Sequence, residues 1–440
     1  MIARVKIFPR GTILGEYLPP IDVTKYLSGN GAISDIVNSV DSSDYSVGTY
    51  TFASVKTKFF DPDGLFSSSG YPTIFPNGRD VSKVEILVEE GGVESLVFMG
   101  IVNDPATRED VLNEITTFTI TSPDSILSRR NIVAGSITSG VTFKRALEII
   151  LDTRPINQIM NVNPENFELD YDGIIENGQG LEGLTLKEAL DQILLAANAV
   201  LVVDREGTLS VRVRTNESTL VRRFYGPYDR LGRVPRVMGV AGLNNGFHRL
   251  INTVVLNGTE YTDQAYIDEF GAFKKAIELK FITSAEQKSL VANNLIDRFR
   301  YPKREFSITV PILSAVDLDL ISLISVDYQK RVLRPRAGGG RYGASVYGGA
   351  LYNGEKGAFN SDQNFAYIVY GVKHRMTNFT TELKIREFGK SANDVTIYER
   401  PSQYGLGRYG EAQYSEGVPE YADQTGSFNQ GRYGSSRYGG

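Results

Sequence analysis

The chain has 440 residues, 41% of them hydrophobic, enough for about three domains that each bury a core. Lys+Arg 47 against Asp+Glu 52 gives a formal net charge of -5, neither the basic excess of a duplex-binding protein nor an acidic disordered block. Cys is absent, which excludes disulfides, thiolate zinc sites and thiol chemistry. With only His248 and His374, a histidine metal site is nearly excluded too. Trp is also missing, while Tyr 24 and Phe 22 are plentiful. This composition points to a soluble globular protein that is not an enzyme and needs no cofactor.

Charges interrupt the apolar residues of Met1–Arg10, so no signal-peptide core is expected there. Nowhere do about eighteen apolar residues run together, so no membrane span is expected and folding belongs in a cytoplasm.

Alternation predicts strands first. Arg4–Phe8 alternates before Pro9 and Gly11, and Thr49–Phe60 does so before the turn Asp61-Pro62-Asp63-Gly64. Val84–Val88 and Val93–Val102 flank Gly91-Gly92 as a hairpin, and Ile115–Thr121 alternates again. Residues 1–130 therefore read as a first barrel-like β domain. The period then changes. In Val141–Asp152, Phe143, Ala146, Leu147, Ile150 and Leu151 fall on one helix face. Thr185 and Glu188 make a capping box ahead of a second helix, which runs into Ala199–Val203, a turn at Asp204–Gly207 and a returning strand Thr208–Val213. Residues 131–218 read as an inserted α+β domain of two helices and a hairpin.

Residues 219–395 read as a second barrel-like β domain. Its strands are expected at Ile251–Leu256, Phe306–Val310, Leu318–Val326, Phe365–Val372 and Thr381–Phe388. A helix is expected over about 284–300, capped by Thr283 and Glu286 and stopped by Pro302. The fold class is α+β, mainly β. Two segments differ in kind. A Gly- and Tyr-rich loop over about 335–360 and a tail over 396–440 share the triplet Arg-Tyr-Gly, at Arg341-Tyr342, Arg408-Tyr409, Arg432-Tyr433 and Arg437-Tyr438; Tyr347 and Tyr352 lie in the same loop. Arg and Tyr stack on one another and are enriched at interfaces, while Gly leaves the backbone free. Such segments serve as single-stranded nucleic-acid binders, as plain linkers or as adhesive segments that order on neighbouring subunits. Glu411, Glu416, Glu420 and Asp423 keep the tail near neutral, which disfavours the first.

No chemistry competes with this. Asp61 and Asp63 lack the spacing of a calcium loop, and Asp41 and Asp44 read as turn residues. Gly338-Gly339-Gly340 lacks the Lys-Ser/Thr of a phosphate loop, and neither histidine sits in a Ser/Asp constellation. There is no catalytic, cofactor-binding or metal residue to name.

The order of these segments resembles the baseplate or tail-tip hub proteins of tailed bacteriophages and related tail machines. The stretches that carry it are Val40–Tyr50 followed by Asp61–Phe66, then Leu184–Ile193 leading to Val203–Leu209. The third is Leu250–Val254 leading to Asp268–Gly271 and Ile282–Gln287. The resemblance implies two barrel-like β domains per chain with an α+β domain between them. It implies a homotrimeric, pseudo-sixfold ring that adapts the sixfold tail tube to a threefold spike or fibre and leaves a channel for DNA. Implied partners are copies of itself, a tail-tube or distal tail protein on one side, and a spike, fibre or tail-tip protein on the other. Genomic DNA would pass without specific binding, lumen-facing acids letting it slide. The implied location is the virion tail tip or baseplate, assembled in the bacterial host cytoplasm. The Arg-Tyr-Gly segments are outside the common pattern and are assigned to contacts with these partners. A hexameric distal tail protein and a receptor-binding tail adhesin are the alternatives.

Overall fold

The alternating N-terminal stretches become strands in the computed structural model, which describes residues 1–40, 50–66, 74–152, 156–213, 219–226, 232–244, 249–300, 303, 305–327, 365–391 and 396–397. First come β1 (Ile2–Phe8), β2 (Ile21–Asp22), β3 (Ile36–Val40), β4 (Tyr50–Phe60), β5 (Lys83–Glu90), β6 (Val93–Val102), β7 (Arg108–Asp110) and β8 (Ile115–Thr121). β5 and β6 form the expected hairpin. Gly91 and Gly92 both adopt positive φ, 59° and 85°, and Glu90 stands opposite Val93. Such a two-residue turn matches the strand twist, and residues without a Cβ adopt it at least cost. Along β8 every second residue, Thr116, Phe118 and Ile120, is buried, so the period of two becomes a core face.

The turn after β4 delivers an aromatic ring into that core. Asp61 Oδ2 accepts from Phe66 N and from Thr116 Oγ1, each at 3.0 Å, while Gly64 takes φ 65°. Phe66 then stacks on Phe59 with centroids 4.6 Å apart, and Phe118 meets both rings at 5.4 and 5.9 Å. All three rings are fully buried.

The helical stretch holds α1 (Phe143–Leu151), α2 (Ile156–Ile159), β9 (Asn161–Val162), α3 (Leu186–Ala196), β10 (Ala199–Val203) and β11 (Thr208–Val213). The apolar face read for α1 is buried in full. Thr185 Oγ1 accepts from Glu188 N at 3.1 Å, and Glu188 Oε2 accepts from Thr185 N at 2.8 Å, completing the capping box of α3. β10 pairs antiparallel with β11, and β9 joins β11 in parallel.

The remainder supplies β12 (Thr219–Tyr225), β13 (Gly239–Asn244), β14 (Thr253–Leu256), β15 (Thr259–Thr262), α4 (Gln264–Phe270), β16 (Lys274–Ile277) and α5 (Ala285–Phe299). After these come β17 (Glu305–Pro311), β18 (Leu323–Asp327), β19 (Phe365–Arg375), β20 (Thr380–Ser391) and β21 (Thr396–Ile397). Three local expectations are corrected. The stretch Leu318–Val326 is a strand only from Leu323, because Asp319–Ser322 turns: Asp319 N donates to Ser322 Oγ at 3.1 Å and Ile321 adopts φ 72°. β14 starts two residues late because the Asn252 amide is spent on the neighbouring loop, donating to Gly271 O and accepting from Phe273 N. The cap of α5 is Ser284, whose Oγ accepts from Gln287 N at 3.3 Å, and not Thr283. The Thr283 N–H and hydroxyl both donate to Glu176 instead.

The larger of two compact units comprises Met1–Glu217, Val237–Ser322 and Tyr367–Phe388. One hydrogen-bonded path runs through it in the order β13-β17-β20-β19-β3-β4-β8-β6-β5-β1-β2, with β7 beside β8. Its central joint is non-local: β19 lies antiparallel on β3, with His374 opposite Ile36. A separate small sheet, β15-β14-β16, carries α5. The fold is thus α+β and mainly β, built on a large antiparallel sheet. The smaller unit holds, among the described residues, 219–226, 232–236, 323–327, 365–366, 389–391 and 396–397. Its described part is β12 paired in parallel with β18 and β21, closed by Arg233, which bonds Asp327 at 3.1 Å and covers the Tyr225 ring at 4.3 Å.

Candidate functional site

Arg341, Tyr342, Tyr347, Tyr352, Arg408, Tyr409, Arg432, Tyr433, Arg437 and Tyr438, the contact residues offered by the sequence, lie outside the described residues, as do His248, Asp41 and Asp44. Within the described residues, two features hold the chemistry: a polar seam and an exposed surface.

The seam forms where the β10–β11 turn meets the large sheet. A cavity of about 60 Å³ is lined there by Asp204 and Arg205 of the turn, Met99 of β6, Asp124, Asp319 and His374 of β19. Burial pushes the Asp319 carboxyl up to about 6. Arg212, 3.9 Å away, and Arg205 oppose that rise, while Asp204 and Asp317 add to it. Burial likewise holds His374 down at about 4, so its ring is neutral at pH 7, with Nδ1 2.7 Å from Thr381 Oγ1. A space of about 60 Å³ takes a water or two, whereas ligand pockets run to roughly 300 Å³ and more. The seam therefore suits packing of one layer on another. No group of His, Cys, Asp and Glu among the described residues is placed to hold a metal ion. No helix among them is long and apolar enough to cross a membrane.

The surface feature lies between strands, where alternation gives no signal. At the tip between β7 and β8, Val111 and Leu112 stand 83% and 96% exposed. Large apolar side chains in such positions are informative when held together rather than scattered. The only sequence signal is an apolar pair set between Asp110 and Asn113, residues that themselves favour turns.

No protein-family model matches the chain, and no curated protein sequence does either. Among solved structures it is similar to the tail protein from Neisseria meningitidis, at 12% identity and a TM-score of 0.52, covering 90% of this chain and 100% of that chain. It is also similar to the prophage MuSo2 tail protein from Shewanella oneidensis, at 13% identity and a TM-score of 0.48, over 88% and 98% of the two chains. A prophage tail protein from Listeria monocytogenes follows at 12% identity and a TM-score of 0.45, over 94% and 98%.

Proposed function

We propose that the chain is a structural virion component, a baseplate or tail-tip hub that forms a homotrimeric ring. The ring adapts a sixfold tail tube to a threefold spike or fibre and leaves a channel through which DNA passes without specific binding. The observation that supports this most is the end-to-end match in fold to a tail protein, which spans 90% of this chain and 100% of the other. Fold alone does not assign a function, but a likeness spanning both chains fits a chain built for the same architectural work. The role is mechanical rather than catalytic. Interfaces between copies hold the ring, one face meets the tube or distal tail protein, and the other meets the spike, fibre or tip protein. The Arg-Tyr-Gly loop and tail supply part of these contacts. Deleting residues 400–440 should leave a folded core and weaken tail assembly.

The test of place is labelling. Antibodies raised against the chain, applied to particles released by cells that carry its gene, should decorate the end of the tail distal to the head. Labelling along the tube, or none on particles that contain the protein, would overturn the reading. Binding of the isolated chain to whole host cells would favour the adhesin instead, and cleared bands on a peptidoglycan gel would make it an enzyme.

A further inference from the structure

We infer that the apolar tip between β7 and β8 of one copy seats in the open groove over the β14–β16 sheet of the next copy. This deepens the ring reading proposed above and rests on it. The tip is rigid. Asp110 accepts from Asn113 N at 3.2 Å and from Asn113 Nδ2 at 2.8 Å, and Asp110 pairs with Ile115 across the β7–β8 ladder. At the base, Glu109 accepts from the buried Arg79 guanidinium at 2.6 Å. Val111 and Leu112 are thus presented by a preformed turn, so little conformational freedom is lost when they are covered. Phe60, 47% exposed, stands opposite Ile115 on β4 and extends the apolar surface toward the sheet.

The groove lies elsewhere in the same unit. Its volume is about 740 Å³, and its lining is mixed: Val255, Ala276 and Ile277 alternate with Asn257, Thr283, Glu278, Lys280 and Lys288. Val255 and Ala276 are register partners on the face of the sheet away from the core, since Val254 and Leu256 are the fully buried residues of β14. The charges are complementary. Asp110 and Glu114 bracket the apolar pair at the tip, with Arg108 further back. In the groove Lys280 is shared with Glu278 at 3.6 Å, while Lys288 makes no ion pair among the described residues. An acid-flanked apolar tip and a half-apolar groove whose unpaired cation, among the described residues, is Lys288 are the two halves of a head-to-tail contact. A head-to-tail contact of this kind generates a ring when its rotation closes, which is the geometry that the ring reading requires. A second copy is therefore the occupant that the surface itself specifies.

The absence of cysteine makes the test clean. L112C and A276C are prepared separately, mixed and oxidised mildly. The expected product is a disulfide joining the two different variants, several-fold above either self-linked product and confirmed by peptide mapping. In parallel, L112D and K288E should each raise the concentration needed for assembly at least tenfold with an unchanged melting temperature, and E114K with K288E should restore it. If rings form normally with L112D and the mixed disulfide does not exceed the self-linked ones, this contact is wrong while the ring stands. If the unmodified protein never assembles and no mixed disulfide forms, both fall.

Discussion

The buried imidazole of His374 meets the hydroxyl of Thr381 at 2.7 Å, Nδ1 to Oγ1, between β19 and β20. Burial lowers the ring from 6.5 to about 4, so protonation opposes the folded state. Between those values the unfolded chain holds the proton and the folded chain does not. Stability from this group is complete above 6.5 and falls as the pH drops toward 4, by about 3 kcal/mol in all. Denaturant titrations across that window should show a steeper loss for the wild type than for His374→Gln. Parallel curves would mean that the ring is not held neutral.

The Asp61 turn gives the second test. Asp61→Ala leaves Phe66 N and Thr116 Oγ1 without their acceptor, at about 1–3 kcal/mol. Phe66→Ala removes a ring packed on two others and should cost roughly 3–5 kcal/mol. The two residues act on one loop, so the double variant should lose less than the sum of the singles. Full additivity, measured by the shift in denaturant midpoint, would break the link between turn and core.

A third prediction concerns the start of α5. Desolvation raises the Glu176 carboxyl, but donors from Ser284 and Thr283 outweigh it and bring it from 4.5 down to about 2. A depressed carboxyl stabilises above its unfolded value and loses that contribution as the pH falls from 4.5 toward 2. Glu176→Gln should therefore be less stable than the wild type at pH 7, with the gap closing through that acid window. A gap that is independent of pH would assign the effect to shape alone.

The same junction constrains Gly180. A Cβ there would stand 2.5 Å from the Lys280 carbonyl carbon, and backbone cannot swing aside as a side chain can. Gly180→Ala should cost about 1–3 kcal/mol by forcing the two segments apart. Hydrogen exchange should quicken at Glu176 and Asn177, whose N–H groups donate to Phe281 O. Unchanged exchange there would show that the approach is looser than drawn.

What the sequence made legible was local. The Gly91-Gly92 turn, the Thr185–Glu188 box and the alternation of Ile115–Thr121 each involve residues within a few positions, and each is realised at or within a residue of its expected bounds. What stayed hidden needs distant partners. The cap of α5 shifted from Thr283 to Ser284 because Glu176, over a hundred residues earlier, takes the Thr283 donors. The turn at Asp319–Ser322 lies inside an apolar run that periodicity reads as strand. The short helix Gln264–Phe270, which ends at Gly271 with φ 84°, is not among the expected elements. The β19–β3 pairing joins residues more than three hundred positions apart, which no local pattern encodes. The tip and groove are surfaces, defined by what stays uncovered, and so have no periodic signature.

The most direct measurement of the hub account is mass photometry of the purified protein over a concentration series, with negative-stain images of the same sample. The account predicts a trimer that images as a ring with an open centre. A hexamer would indicate the distal tail protein instead, and a monomer at every concentration would contradict the account.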